Sequence, residues 1–250
     1  MPLYLVPGGD YAQPQHVGST DVDVALRLVV EAEDEGAYST LATNLRRAGF
    51  DRVDGSSWRW SADVDGHVVV LEFLGDRTDV APGTIFSPRV RPSAGAGGVG
   101  LLCVRGVELA FRDSVAIDRE LVLLDGARSN VTFQVANLSP FVALKADAYL
   151  DRRKPKDAYD LVYVLRWWDG GPAAAAAAVA ASPIAGEPFV LSAMRRVLGE
   201  FAGPDRVGAV DYALLAAAGG TEAEISRARN EAVLVVRQFA EVLRLPDAVE

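Results

Sequence analysis

A single cysteine, Cys103, two histidines and two methionines occur in 250 residues. No intrachain disulfide is possible, so nothing argues for an oxidising compartment. A closed zinc site of the usual cysteine and histidine composition is excluded as well. Cys103, within "LLCVRGVELAF", reads as a small apolar strand residue rather than a nucleophile. Positive charge is also scarce. Lys and Arg number 25 against 34 Asp and Glu, for a formal net charge of -9. That rules out a broad electrostatic grip on polyanions and leaves room only for a local basic stripe. No stretch has the ~18 consecutive strongly apolar residues of a membrane span. The most apolar tract, "GPAAAAAAVAASPIAG" at 171 to 186, is mostly alanine and is broken by Pro183. The leading "MPLYLVPGG" has no basic start and too short an apolar stretch for a signal peptide. These absences predict a soluble cytoplasmic protein with no membrane partner.

What is present is ample apolar material. Half of the residues are hydrophobic, enough for one large core or two small ones. Residues 3 to 6, "LYLV", suggest a short strand ending at Pro7. "TDVDVALRLVV" (20 to 30) alternates acid and apolar residues, then turns wholly apolar, as in a strand that starts at a polar cleft. The apolar spacing at 37, 38, 41, 45 and 48, with Gly49 as a stop, predicts an amphipathic helix over 33 to 50. "SSWRWSAD" and "GHVVVLEFLGD" read as strands joined by a turn at "DVDG". Residues 77 to 100, rich in Pro and Gly, read as a loop. Strand character returns over 101 to 137, with "VRGVELAF" as a hairpin arm and "NVTFQVANL" as a strand. From Ser139, a plausible N-cap ahead of Pro140, the pattern becomes helical. Pro155 divides the first helical stretch in two. Further helices are expected over 172–182, 187–201, 205–218 and 221–244, the last opened by the capping-box sequence "TEAE". The expected organisation is an α+β domain over 1–137 and a helical domain over 138–250, with the cleft between them as the default ligand site.

Chemistry concentrates in three places. Asp21 and Asp23 stand at i and i+2 of a strand, so they share a face with Cα atoms ~6.5–7 Å apart. Two carboxylates so close repel unless a cation sits between them. An oxygen-only donor set favours magnesium, whose usual partners are one or two carboxylates and nucleotide phosphates. Glu72 lies in an otherwise apolar strand, where a lone acid is costly, so it is either a third metal ligand or an ion-pair partner for an arginine such as Arg59. Gly8 and Gly9 could bring backbone N–H groups close to a phosphate, assisted by Ser19 and Thr20. Lys145 sits in an apolar helical stretch, where it either snorkels to water or faces the cleft to meet triphosphate charge. Arg152, Arg153, Lys154 and Lys156 gather positive charge suited to polyphosphate or RNA backbone. His16 reads as loop structure, His67 as an exposed strand start, and Trp167 and Trp168 as packing residues.

"GG", eleven residues, and "DVD" together resemble the nucleotidyltransferase signature of the DNA polymerase β superfamily. Lys145, Arg152 and "KDAYDL" at 156 to 161 resemble the later motif of its AbiEii and MenT branch, the toxins of type IV toxin–antitoxin and abortive-infection systems. The resemblance covers motifs in roughly the first 165 residues. It implies a mixed sheet with flanking helices and a C-terminal helical lobe. It implies magnesium and a nucleoside triphosphate, with nucleotide transfer to an acceptor hydroxyl, on tRNA or a protein, and an antitoxin as partner. By position, Asp21 and Asp23 would bind metal and Gly8 and Gly9 would contact triphosphate. Lys145 would hold phosphate, and Asp157 or Asp160 would be the acid of the helical lobe. Two departures stand out. Val17 occupies a position where the branch often has arginine, and only seven residues precede the Gly-Gly pair. They leave a second reading, a catalytically impaired relative that binds nucleotide or a protein partner.

Overall fold

The computed structural model describes residues 4–6, 13, 15–18, 21–26, 35–76, 80–86, 98–123 and 126–243. It is a mixed α+β protein. Two compact units divide the chain. One gathers Gly18–Glu108 and Ala116–Phe133; the other gathers Pro2–Val17, Leu109–Val115 and Gln134–Glu250.

The first unit is built on a mixed sheet. Its strands are β1 (Asp21–Ala25), β2 (Asp51–Arg52), β3 (Arg59–Val64), β4 (His67–Gly75), β5 (Ile85–Phe86) and β6 (Leu101–Cys103). β3 and β4 form a hairpin whose turn places Asp65 at φ 53 and Gly66 at φ 80, the left-handed pair that a tight turn between twisted strands requires. β4 is central. β1 lies parallel along it with Asp23 opposite Glu72, while β3 lies antiparallel with Arg59 opposite the same Glu72. One residue cannot face two partners on one edge, so β1 and β3 flank opposite sides of β4. Beyond the end of β3, β6 joins β4 in parallel at Leu74 and Gly75.

The alternation of β4 then sorts the residues. Trp60, Leu71, Phe73 and Val24 share one face, where helix α1 (Glu35–Arg47) contributes Ala42 and Leu45 to the core. The helix ends at Gly49, φ 83, as its spacing predicts. Val22 belongs to the same sheet face as Leu71 but lies at its rim, 42% exposed. The opposite face carries Asp21, Asp23, Val70, Glu72 and Arg59. Cys103 is buried in β6, as a small apolar residue would be.

Three local expectations change. Residues 4–6 form no strand; Leu5 and Val6 are instead buried in the helical core. "VRGVELAF" is a turn at Gly106 followed by the short helix α2 (Leu109–Arg112), not a hairpin arm. The hairpin is β7 (Ser114–Val122) with β8 (Arg128–Ala136), a separate two-stranded sheet.

The second unit is helical: α3 (Leu138–Arg152), α4 (Pro155–Trp167), α5 (Gly171–Ala180), α6 (Pro188–Gly199), α7 (Val207–Ala216) and α8 (Glu222–Leu243). The N-cap of α3 is Asn137, not Ser139. The Asn137 side chain accepts from the Leu138 N–H and donates to Asp113. Pro155 opens α4 at its first position, where no N–H is needed. α4 contacts α3, α5, α7 and α8, and every residue from Asp157 to Leu165 is buried. A helix wrapped on all sides should be apolar all round. Two of those nine buried residues are aspartates, so their charges must be answered inside the unit. Thr221 and Glu224 form the capping box at α8, with the Thr221 N–H 2.7 Å from the Glu224 carboxylate. Trp167 and Trp168 pack partly buried against the core. No helix among the described residues is long and apolar enough to cross a membrane.

Candidate functional site

The sheet unit supplies the exposed acids. Asp21 and Asp23 point from the same face of β1, and both are exposed. Register sets Glu72 beside Asp23, one strand spacing away, ~4.8 Å. Glu72 is also ion-paired: Arg59 Nε lies 2.9 Å from its Oε1. The arginine partner allowed for in the sequence is therefore present, on the strand that flanks β4 opposite β1. Among the described residues, no three His, Cys, Asp or Glu side chains close on a single point. The acids form an open row rather than a cage. An open row of hard oxygen donors fits magnesium, which keeps several waters and needs only one or two carboxylates from the protein. Gly8, Gly9, Ser19 and Thr20 lie outside the described residues.

The helical unit supplies the buried acids. Asp157 and Asp160 are one turn apart on α4, so they share a face, and that face meets Lys145 of α3. Lys145 Nζ is 3.1 Å from Asp157 Oδ1 and 3.0 Å from Asp160 Oδ2. Arg152 grips Asp157 with two bonds, Nε to Oδ2 at 2.7 Å and Nη2 to Oδ1 at 2.8 Å. Lys156, one turn before Asp160, reaches both its oxygens at 3.0 Å. His16 Nε2 lies 2.9 Å from Asp160 Oδ1. The side chains of Asp157 and Asp160 are 3% and 1% exposed, that of Lys145 20%.

Burial and charge oppose each other here. Burial pushes the Asp160 carboxyl up, but the His16 hydrogen bond and the Lys145 and Lys156 charges hold it well below the usual carboxylate range. Burial likewise pushes Asp157 up, and Arg152 and Lys145 bring it below its ordinary value. Burial pulls Lys145 down, while Asp160 and Asp157 carry it above an ordinary lysine. Asp157 is also the third residue of α4, where the helix dipole favours a negative charge. Three cations, Lys145, Arg152 and Lys156, meet these two carboxylates. Arg153 is turned away, stacked on Tyr149 and paired with Glu200 at 2.7 Å.

His16 is the residue that sequence reasoning undervalued. It is buried among Tyr159 and Tyr163, with ring centroids 5.2 and 4.8 Å away. Nothing in the polar stretch around it signals burial, because its partner lies 144 positions later in the chain.

The model of the family described as "Nucleotidyl transferase AbiEii toxin, Type IV TA system" matches residues 19–217. That span includes Asp21, Asp23, Glu72, Lys145, Arg152, Asp157 and Asp160, and begins after His16. No curated protein and no solved structure matches the chain. The family model spans well over half of the residues, and the protein belongs to the AbiEii family of nucleotidyl transferase toxins of type IV toxin–antitoxin systems.

Proposed function

We propose that the protein is a magnesium-dependent nucleotidyltransferase that moves a nucleotide from a nucleoside triphosphate to an acceptor hydroxyl. The observation that carries this is the single sheet face shared by Asp21, Asp23 and Glu72. Asp21 and Asp23 would hold the metal, with Glu72 as the neighbouring third carboxylate. When bound, magnesium would screen phosphate charge and orient the triphosphate. The acceptor oxygen attacks the α-phosphorus, the bond to the bridging oxygen breaks, and pyrophosphate leaves with the electron pair. The acceptor proton passes to solvent.

Lys145 is assigned to phosphate on the sequence resemblance, with Arg152 and Lys156 beside it as further cations of the cluster. The same bonding argues against Asp157 or Asp160 as general base. A base should titrate near the working pH, and both carboxyls are held below the ordinary range by the cations around them. Their role in this reading is to fix the lysines and the arginine. Gly8 and Gly9 are assigned to triphosphate contact on the sequence resemblance, and Ser19 and Thr20 on their place just ahead of the carboxylates. The 3′ end of tRNA and a protein hydroxyl are the acceptor classes to try. A toxin of a type IV system also implies an antitoxin partner.

The test is incorporation of α-labelled nucleotide into total RNA and total protein, with each of the four triphosphates and magnesium. Transfer that is lost in D21N and in D23N supports the assignment. Transfer that survives both substitutions removes it, and triphosphate binding without transfer favours the impaired relative.

A further inference from the structure

We propose that His16 is a positioning residue that fixes Lys145 by holding Asp160, an inference that rests on the nucleotidyl-transfer reading. The short segment carrying His16 is laid along α4 by two hydrogen bonds. Gln13 Nε2 donates to the Tyr163 hydroxyl at 2.8 Å. His16 reaches Asp160, with its own side chain fully buried. An ionised carboxylate can only accept, so Nε2 carries the hydrogen of that bond.

The two oxygens of Asp160 are divided among three donors. Oδ1 takes His16 and Lys156, and Oδ2 takes Lys145 and Lys156. Lys156 is the most exposed of the three, so water competes for it. His16 is the donor that water cannot displace. With it in place the carboxylate plane is fixed, and Oδ2 stays aimed at Lys145. Without it, Asp160 can turn toward Lys156. Lys145 would then rely on Asp157, which Arg152 already holds with two bonds. Lys145 is the cation assigned to triphosphate, so a loose Lys145 should weaken triphosphate binding more than it slows the chemical step.

The test uses the full chain and three substitutions. H16F keeps a ring against Tyr159 and Tyr163 but has no donor. H16Q places an amide nitrogen near the position of Nε2. H16N keeps polarity but falls short of Asp160. H16F and H16N should raise KM for the triphosphate about tenfold or more, the scale of one hydrogen bond to a charged group, with a smaller change in kcat. H16Q should restore KM to within about threefold. Competitive amine labelling, read by mass spectrometry against exposed Lys154, gives a readout independent of activity. Lys145 should label slowly in the unsubstituted protein and in H16Q, and faster in H16F and H16N. If the unsubstituted protein transfers no nucleotide, the reaction assignment fails, while the labelling comparison still decides whether His16 positions Lys145. Should H16F not fold, H16N against H16Q carries the comparison. A folded H16F or H16N with unchanged KM and unchanged Lys145 labelling overturns the proposal and leaves His16 as a packing residue.

Discussion

The two units each carry a pair of aspartates, and the pairs are opposites. Asp21 and Asp23 are exposed on a strand and face the same way. Asp157 and Asp160 are buried on a helix, with Lys145, Arg152, Lys156 and His16 already bonded to them. The first pair is open to solvent. The second pair has its cations built in and can only be disturbed by losing them. Substitution should therefore separate the pairs cleanly: activity without stability in the sheet unit, stability first in the helical unit.

The largest expected effect is on transfer. D21N and D23N should each lower nucleotide transfer by about a hundredfold or more, since each removes a proposed metal ligand. The same changes should leave folding free energy within about 0.5 kcal/mol, as exposed positions usually do. Incorporation assays and urea unfolding on the same preparations check both halves. A D21N protein that unfolds much more easily than the parent would mean the acid serves the strand, not a metal.

Next in size is stability in the helical unit. D160A removes a buried carboxylate and leaves two lysines and a histidine facing one another. Breaking a buried pair costs about 3–5 kcal/mol, and the partial exposure of Lys156 argues for the lower end. The four tryptophans allow the units to be read apart. Trp58 and Trp60 belong to the sheet unit, Trp167 and Trp168 to the helical one. In a W58F/W60F background, tryptophan fluorescence reports the helical unit alone. D160A should shift that transition to lower urea, while D21N should not move it.

The same contrast explains what could be read from the chain directly. The Asp-x-Asp pair was legible because period-two alternation puts i and i+2 on one face whatever the surroundings. The strand hairpin at 59–75, the division at Pro155 and the capping box at Thr221 were legible for a similar reason: each is settled within a few residues. Lys145, Asp157 and Asp160 were legible only as a motif, because helical spacing alone left the lysine free to snorkel. His16 was not legible, since a bond spanning 144 positions leaves no periodic trace. The misreadings at 4–6 and 104–111 have the same origin. Leu5 and Val6 look like strand residues but are recruited by helices far along the chain. Glycine-containing "VRGVELAF" turns at Gly106, φ 81, which strand propensity does not anticipate.

A pH series sharpens the comparison at intermediate size. The folded-state pKa values of Asp157 and Asp160 are lowered. Their contribution is complete above the ordinary carboxylate value, about 4, and is lost as pH falls through the lower folded values. Lys145 is raised, so its contribution is complete below about 10.4 and is lost as pH rises through its higher folded value. Helical-unit stability should thus be level between these limits and fall steeply in acid. D157N and D160N should each flatten the acid limb. An unchanged acid limb in both would mean that other carboxylates control it.

Glu72 gives the smallest effect and tests whether the two classes of acid are distinct. It is intermediate between them, partly exposed and bonded to one arginine. As an ion pair near the surface it should contribute about 0–1 kcal/mol, and E72Q and R59Q should destabilise alike. Their effects on magnesium should differ. E72Q removes a carboxylate from the row, so the magnesium concentration at half-maximal transfer should rise. R59Q removes only a competing cation, so that midpoint should stay level or fall. If E72Q and R59Q move the midpoint together, or neither moves it, Glu72 belongs with the internally neutralised acids of the helical unit, and the metal row consists of Asp21 and Asp23 alone.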